Sequence, residues 1–422
     1  MYKYPLTAQP TARQLAFQDW EFGLFIHFGI ETFAGHNGIE TNYDPPPPAH
    51  LFNPTDPDPR AWIEPAVAAG MRYAIFTAKH HNGCCLWQTR TTDYSIAASP
   101  WQNGAGDLVR DFSDACRAYG LKVGLYYSPW DKHCPFYDDA PAYDEYMIAH
   151  MRELLGDYGP IDLLWLDGFG SEHHVYDWPR IMGEVRRLQP EIAVFNMGDP
   201  DYRWVGNEAG VADLPNWNTV EAIPFAMSAA EQMTAVAQPV WLPAECDAMM
   251  RFGSWFYVGY DVETVKSVDE LIGIYYYSVG RGANLLLNIS PEPSGRFPEP
   301  DRLRLLEFGR EIRRRFDSPL ATLEDGALSA SGWQYQFDRP TLVNHVVVQE
   351  DLRQGEHIRA YRIVIQPTHG AHRITVYEGR SIGHKAIAMF PTVAARALMI
   401  EITEASGPFT LRNVQVHHLV SG

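Results

Sequence analysis

The sequence predicts an α/β chain in two parts, a (β/α)8-like TIM barrel over residues 1–317 and a C-terminal antiparallel β-sandwich over residues 318–422. Three observations carry this expectation. A chain of 422 residues is too long for one ordinary domain but suits a barrel of roughly 250–320 residues with a small partner. Short apolar runs alternate with helical patterns from about residue 20 to residue 316, as a βα repeat requires. Beyond Ser318 the segments become short, β-rich and separated by turn residues.

In chain order, the barrel strands are expected at Phe22–His27, Arg72–Thr77, Leu121–Tyr127, Ile161–Asp167, Ile192–Asn196, Val240–Pro243 and Asn284–Ile289. Between the second and third, Leu108, Val109, Phe112, Ala115, Cys116 and Tyr119 repeat on one helical face, and Gly120 is placed to end the helix. A further helix begins on Asp177, an N-cap with Pro179 in the first turn, and stops before Pro190. Pro291–Pro300 closes the last barrel strand, and Asp301–Phe316 reads as a closing helix with Leu303, Leu306 and Ile312 inward. Sandwich strands are expected at Tyr361–Ile365, Arg373–Tyr377, Ala397–Ile402 and Phe409–Val416.

Composition narrows the function. No apolar run approaches the ~18 residues of a membrane span, and residues 1–18 lack the regions of a secretory leader, so a cytoplasmic protein is expected. The five cysteines are odd in number and without CxxC spacing, which points to reduced thiols. A formal charge of −18 with no long Lys/Arg run argues against nucleic acid and anionic membranes as partners. Twelve Trp and 22 Tyr exceed what a Val/Ile/Leu-filled barrel needs. They fit either an aromatic core or a site where sugar C–H faces stack on rings.

The polar residues that interrupt the apolar runs fall at expected strand ends: His27, His80 and His81, Ser128, Asp167, Asn196, Glu245 and Asn288. In a barrel of this kind that rim is where active sites are built. Asp167 puts a carboxylate where the buried run Ile161–Leu166 opens into the mouth, although an acid capping the next helix is the plain alternative. Glycoside hydrolysis needs two carboxyl groups, whose separation decides between retention and inversion. The second is Glu208, in a loop beside Trp204, or Glu245, placed nearer a strand end. Adjacent His80 and His81 lack HxH or HExxH spacing, so no metal and no cofactor is expected.

Gly23-Leu-Phe-Ile-His27-Phe-Gly29, Thr77-Ala-Lys-His80-His81-Asn-Gly83 and Leu163-Leu-Trp-Leu-Asp167-Gly168 resemble, in order, the strand-end motifs of the α-L-fucosidases of glycoside hydrolase family 29. The resemblance implies a retaining, exo-acting enzyme that releases terminal fucose through a covalent fucosyl-enzyme, with Asp167 as nucleophile. It implies that His27, His80, His81, Tyr126 and Trp165 bind the sugar, with Trp130 and Trp255 able to flank it. Arg203-Trp-Val-Gly-Asn-Glu208 is similar to the segment that carries the acid/base in one branch of the family, which favours Glu208 over Glu245. Ala212-Asp-Leu-Pro-Asn216 and Arg251-Phe-Gly-Ser-Trp255 depart from that branch, so linkage preference does not carry over. The partner implied is a fucosylated oligosaccharide or glycoconjugate, and a homo-oligomer is common in the family. Two other readings stay open: a barrel glycosidase for a sugar sharing fucose's hydroxyl pattern, and a catalytically silent carbohydrate-binding protein.

Overall fold

The computed structural model describes residues 8–38, 44–171, 173–224, 233–370 and 372–420. In the N-terminal part the strands are β1 (Phe22–Ile26), β2 (Tyr73–Lys79), β3 (Lys122–Tyr127), β4 (Leu163–Leu166), β5 (Ala193–Phe195), β6 (Arg203–Trp204), β7 (Thr219–Pro224), β8 (Met233–Trp241), β9 (Ala244–Met249) and β10 (Asn284–Asn288). All but β7 and β8 form one parallel sheet in the order β5-β4-β3-β2-β1-β10-β9-β6. A parallel bridge between Phe195 and Tyr202 draws the two edges together into a nearly closed barrel. Because these strands are covered on both faces they read as unbroken apolar runs; every residue of β1 and of β4 is buried.

The helices are α1 (Ala12–Trp20), α2 (Ile30–Ala34), α3 (Pro59–Ala69), α4 (Leu108–Tyr119), α5 (Ala140–Gly156), α6 (Trp178–Leu188), α7 (Val268–Tyr277) and α8 (Glu299–Phe316). The α4 helix has the expected face, from Leu108 to Cys116, and ends on left-handed Gly120, while Tyr119 at its last turn is exposed. Asp177 caps α6 by accepting from the Arg180 amide. The α8 helix is rotated from its expected facing. Ile312 packs against the barrel core as expected, but Leu303 lies in solvent, and Asp301, Leu305, Phe308 and Gly309 face inward. The reason is a close crossing: a Cβ at Gly309 would stand 2.4 Å from Ala69 Cα of α3, so the helix turns its glycine to that contact.

Among the described residues no helix lies between β6 and β9. The antiparallel hairpin β7–β8 stands there instead, with Thr219 paired to Trp241. The strand expected at 240–243 is therefore the end of a hairpin, and the barrel strand starts later, at Ala244. Two-residue β6 is too short to leave a periodic signal.

The C-terminal part holds β11 (Ala321–Thr322), β12 (Ala327–Ser329), β13 (Gly332–Glu350), β14 (Ile358–Pro367), β15 (Ile374–Gly379), β16 (Ala386–Ala405) and β17 (Leu411–His417), all antiparallel, in the order β11-β17-β13-β16-β14-β15 with β12 on β13. Register shifts bend β13 against β16, and the sheet encloses its own core around Trp333, Val346, Ile363, Leu398 and Val414. The four expected segments fall on β14 to β17; bulged β13 broke the alternation that would have marked it. This part is fastened near the N-terminal ends of the barrel strands. Glu21, just before β1, meets His384 at 3.0 Å and Lys385 at 2.5 Å, Arg412 meets Asp19, and buried Glu356 accepts from the Asn218 and Thr219 amides. The opposite mouth of the barrel is left open.

Candidate active site

At that mouth lies a cavity of about 180 Å³ lined by Phe25, His27, Gly38, His80, His81, Tyr126, Trp165, Asp167, Phe169, Glu208, Asp247 and Trp255. Its floor is aromatic. Trp165 stacks on Phe195 at 4.1 Å and on Tyr126 at 5.4 Å between ring centroids, and Tyr126 lies nearly parallel to His80 at 5.4 Å. Successive residues of a strand face opposite ways, so Trp165 and Asp167 share the inward side of β4 and its extension. Asp167 accepts from Tyr126 Oη at 2.6 Å on Oδ2 and from the Phe169 amide at 2.9 Å on Oδ1.

The hydrogen-bond network fixes the states of two histidines. Asn288 Nδ2 donates to the Trp255 carbonyl, so its Oδ1 faces His27 Nδ1 at 2.7 Å and must be the acceptor. His27 thus carries its proton on Nδ1. Burial, with His80 adding, holds its pKa well below the ordinary range, leaving Nε2 an acceptor. Ser128 donates to the Trp130 carbonyl and so accepts from His81 Nδ1 at 2.7 Å. Burial and the neighbouring His80 and Lys79 likewise keep His81 neutral. Its bare Nε2 then faces Asp167 Oδ2 at 3.5 Å. Two acceptors facing each other in this way can share one approaching donor.

Behind this wall Lys79, fully buried, donates to the Ser128 and Trp130 carbonyls and lies 3.3 Å from Asp131. It pins the loop that holds His81. His80 Nδ1 sits 3.0 Å from Glu31 Oε1 without the alignment of a hydrogen bond, and Asn82 donates to the same oxygen.

Glu208 stands on the irregular segment after β6, lining the cavity with one side and exposed on the other. Its pKa is raised by partial loss of water and then by Asp167, against a hydrogen bond from Trp255 that lowers it. The two carboxyl groups that the sequence favoured therefore meet across one cavity. Glu245 does not join them. As the second residue of β9 it pairs with Asn284 at the start of β10, low in the barrel, because the strand begins at Ala244. Trp130 does not line the cavity either. It packs behind His81 at 5.5 Å and under Gly170, whose missing Cβ would fall 1.9 Å from the indole.

Sequence reasoning missed Phe25, Gly38, Phe169 and Asp247 as lining. Asp247 shares the inward face of β9 with Glu245, two residues on, and was legible once that strand was placed. It accepts from Trp204 Nε1 at 2.8 Å, and burial, then Glu208, pushes its pKa well up. His80, His81 and Asp167 are the one group among the described residues whose ligand atoms, within 4.8 Å of one another, could hold a metal ion.

A barrel that delivers two facing carboxyls and neutral imidazoles to an aromatic-floored mouth defines a glycoside hydrolase. The family model for alpha-L-fucosidase matches residues 3–314. Alpha-L-fucosidase 1 of Arabidopsis thaliana is 31% identical over 441 residues, covering 95% of this chain and 86% of that protein. A crystal structure of a glycoside hydrolase 29 family member from an unknown rumen bacterium superposes with a TM-score of 0.87 at 33% identity, covering 99% of this chain and 79% of that one. A Bacteroides ovatus ATCC 8483 crystal structure gives 0.88 at 34%, covering 97% and 74%. The chain belongs to the alpha-L-fucosidase family, glycoside hydrolase family 29.

Proposed function

We propose that this enzyme is a retaining, exo-acting α-L-fucosidase that frees terminal fucose from oligosaccharides or glycoconjugates by double displacement. The observation that supports it best is the pairing of Asp167, held as an acceptor by Tyr126 and the Phe169 amide, with Glu208, whose pKa is raised. Asp167 attacks the anomeric carbon while Glu208 gives its proton to the departing glycosidic oxygen. The C–O bond to the aglycone breaks as the ester to Asp167 forms. Glu208, now a carboxylate, takes a proton from water, which opens the ester and returns Asp167. His27 and His81 accept sugar hydroxyls at Nε2, His80 and Tyr126 border the ring, and Trp165 and Trp255 give it apolar faces.

The test is turnover of an aryl α-L-fucoside by wild type, Asp167→Ala and Glu208→Ala with and without azide, following the product anomer. Asp167→Ala should be nearly inactive and give the β-fucosyl azide, and Glu208→Ala should give the α-azide. Release of the inverted sugar by wild type would sink the mechanism. No turnover of any fucoside would move the silent sugar-binding reading to the front. None of the steps uses a metal, so exhaustive EDTA treatment should leave kcat/KM unchanged; a loss restored by a divalent cation would place an ion on His80, His81 and Asp167.

A further inference from the structure

Glu245 is a carboxyl buried to 1% exposure with both oxygens engaged. Tyr73 Oη donates to Oε2 at 2.7 Å and Trp165 Nε1 donates to Oε1 at 2.9 Å. The two donors come from strands on either side of β3, Tyr73 from the first residue of β2 and Trp165 from higher up β4. Burying an acid there is costly, and apolar residues would fill the space more cheaply. What the acid supplies is a fixed acceptor for an indole N–H.

That indole has a further duty. Its ring is the floor of the cavity and is clamped between Phe195 and Tyr126, and Tyr126 Oη donates a hydrogen bond to Asp167 Oδ2 at 2.6 Å. A flat ring held only by stacking can slide or turn within its plane, since stacking is tolerant of lateral offset. A hydrogen bond at Nε1 removes that freedom. We propose that Glu245 is a positioning residue for the fucosidase reaction: by holding Trp165 Nε1 it sets the cavity floor and, through the stacked Tyr126, the orientation of Asp167. The inference rests on Asp167 being the nucleophile.

The chain of contacts has a specific logic. Glutamine at 245 keeps the function, with its carbonyl accepting from Trp165 and its amide donating to Tyr73 Oη, which can accept as well as donate. Leucine, of similar size, leaves the Trp165 N–H without a partner. Tyr73→Phe removes the other bond and leaves the indole held. A role confined to packing the barrel bottom would make Glu245→Leu and Tyr73→Phe alike, lowering stability in both without touching turnover.

The experiment measures kcat and KM on an aryl α-L-fucoside, and free L-fucose binding by tryptophan fluorescence, for Glu245→Leu, Glu245→Gln, Tyr73→Phe and Trp165→Phe. Glu245→Leu is expected to lose about tenfold to a hundredfold in kcat, more than it loses in KM, with Glu245→Gln recovering most of this and Tyr73→Phe falling only in Tm. Trp165→Phe, which keeps a ring and loses the N–H, should fall by a similar factor, and combining it with Glu245→Leu should add little. It also keeps the idea testable if Glu245→Leu fails to fold. Folded Glu245→Leu with wild-type kcat, or Trp165→Phe effects that add fully to it, would overturn the proposal. Wild type that binds fucose and turns over no fucoside would instead overturn the function on which it rests.

Discussion

At the scale of single residues, the site works by deciding which atoms are acceptors. Asn288 ties the Trp255 carbonyl to His27 Nδ1 and so presents Nε2 bare to the cavity. Asn288→Leu removes this choice, and kcat/KM should fall about tenfold to a hundredfold, the cost of one misdirected buried hydrogen bond, mostly in KM. The steady-state constants on an aryl fucoside check it; an unchanged KM would show that the tautomer of His27 is set elsewhere. Trp255 offers a second test. Its hydrogen bond lowers the Glu208 pKa, so Trp255→Phe should raise it and move the basic limb of the kcat/KM profile to higher pH. These partners were only partly legible. His27, His80, His81 and Asp167 stand out in sequence because each falls where an apolar run ends, whereas Tyr126 is marked only by the family resemblance and Glu208 is favoured over Glu245 only by it. Lys79 and Glu31 act through contacts between distant segments that no local pattern records.

At the scale of elements, what the sequence disclosed depended on regularity. The α4 helix, with a capping Asp107, a repeating apolar face and a terminal Gly120, was readable because propensity and packing agree. The β9 strand was misplaced because Trp241-Leu-Pro243 is as apolar as a barrel strand, and only its pairing with β7 reveals a hairpin. That error carried Glu245 to the mouth, when it stands near the floor. The α8 helix was turned by its contact with α3 at Gly309, a contact between residues 240 apart in the chain. Gly309→Val should therefore pry the two helices apart and cost about 1–3 kcal/mol of overpacking, read as a drop in the midpoint of urea unfolding. Unaltered stability would mean the crossing is loose.

At the scale of the whole molecule, the sandwich is bound to the barrel by charge as well as by apolar contact. Glu21 is held down to about pKa 2 by Lys385 and His384 despite burial. Glu21→Gln leaves Lys385 without its partner and should destabilise the protein by about 2 kcal/mol, with KM for a small fucoside unchanged because the pair is far from the mouth. Other buried groups shape the pH profile of stability. Burial raises Glu245 to about 7 and Glu350 to about 8, so their contribution is fully present below pH ~4.5 and is lost as pH rises through those values. Burial lowers His345 and His417 to about 4, so theirs is present above pH ~6.5 and lost as pH falls. The two effects oppose one another between those limits. Above pH ~6.5 the histidine contribution is complete while the carboxyl contribution is still being lost, so Tm should decline toward pH 8, and Glu350→Gln should reduce that decline. A Tm still rising at pH 8 would refute this balance.

That no helix lies between β5 and β9 among the described residues divides the barrel into two kinds of part. Asp167 and the three histidines sit at strand ends followed by helices, and in the proposed function that half meets the fucose common to every substrate. Glu208 belongs to the stretch between β5 and β9, where the described residues form no helix and β6 and the β7–β8 pair carry the wall. Although Trp204, Ala212 and Trp241 are buried there, a length of chain with no helix behind it can vary without re-solving how helices pack on the other strands. In the proposed function the acid/base therefore stands on the segment with the fewest helical constraints, and leaving-group preference can change there while the proposed grip on the sugar is kept.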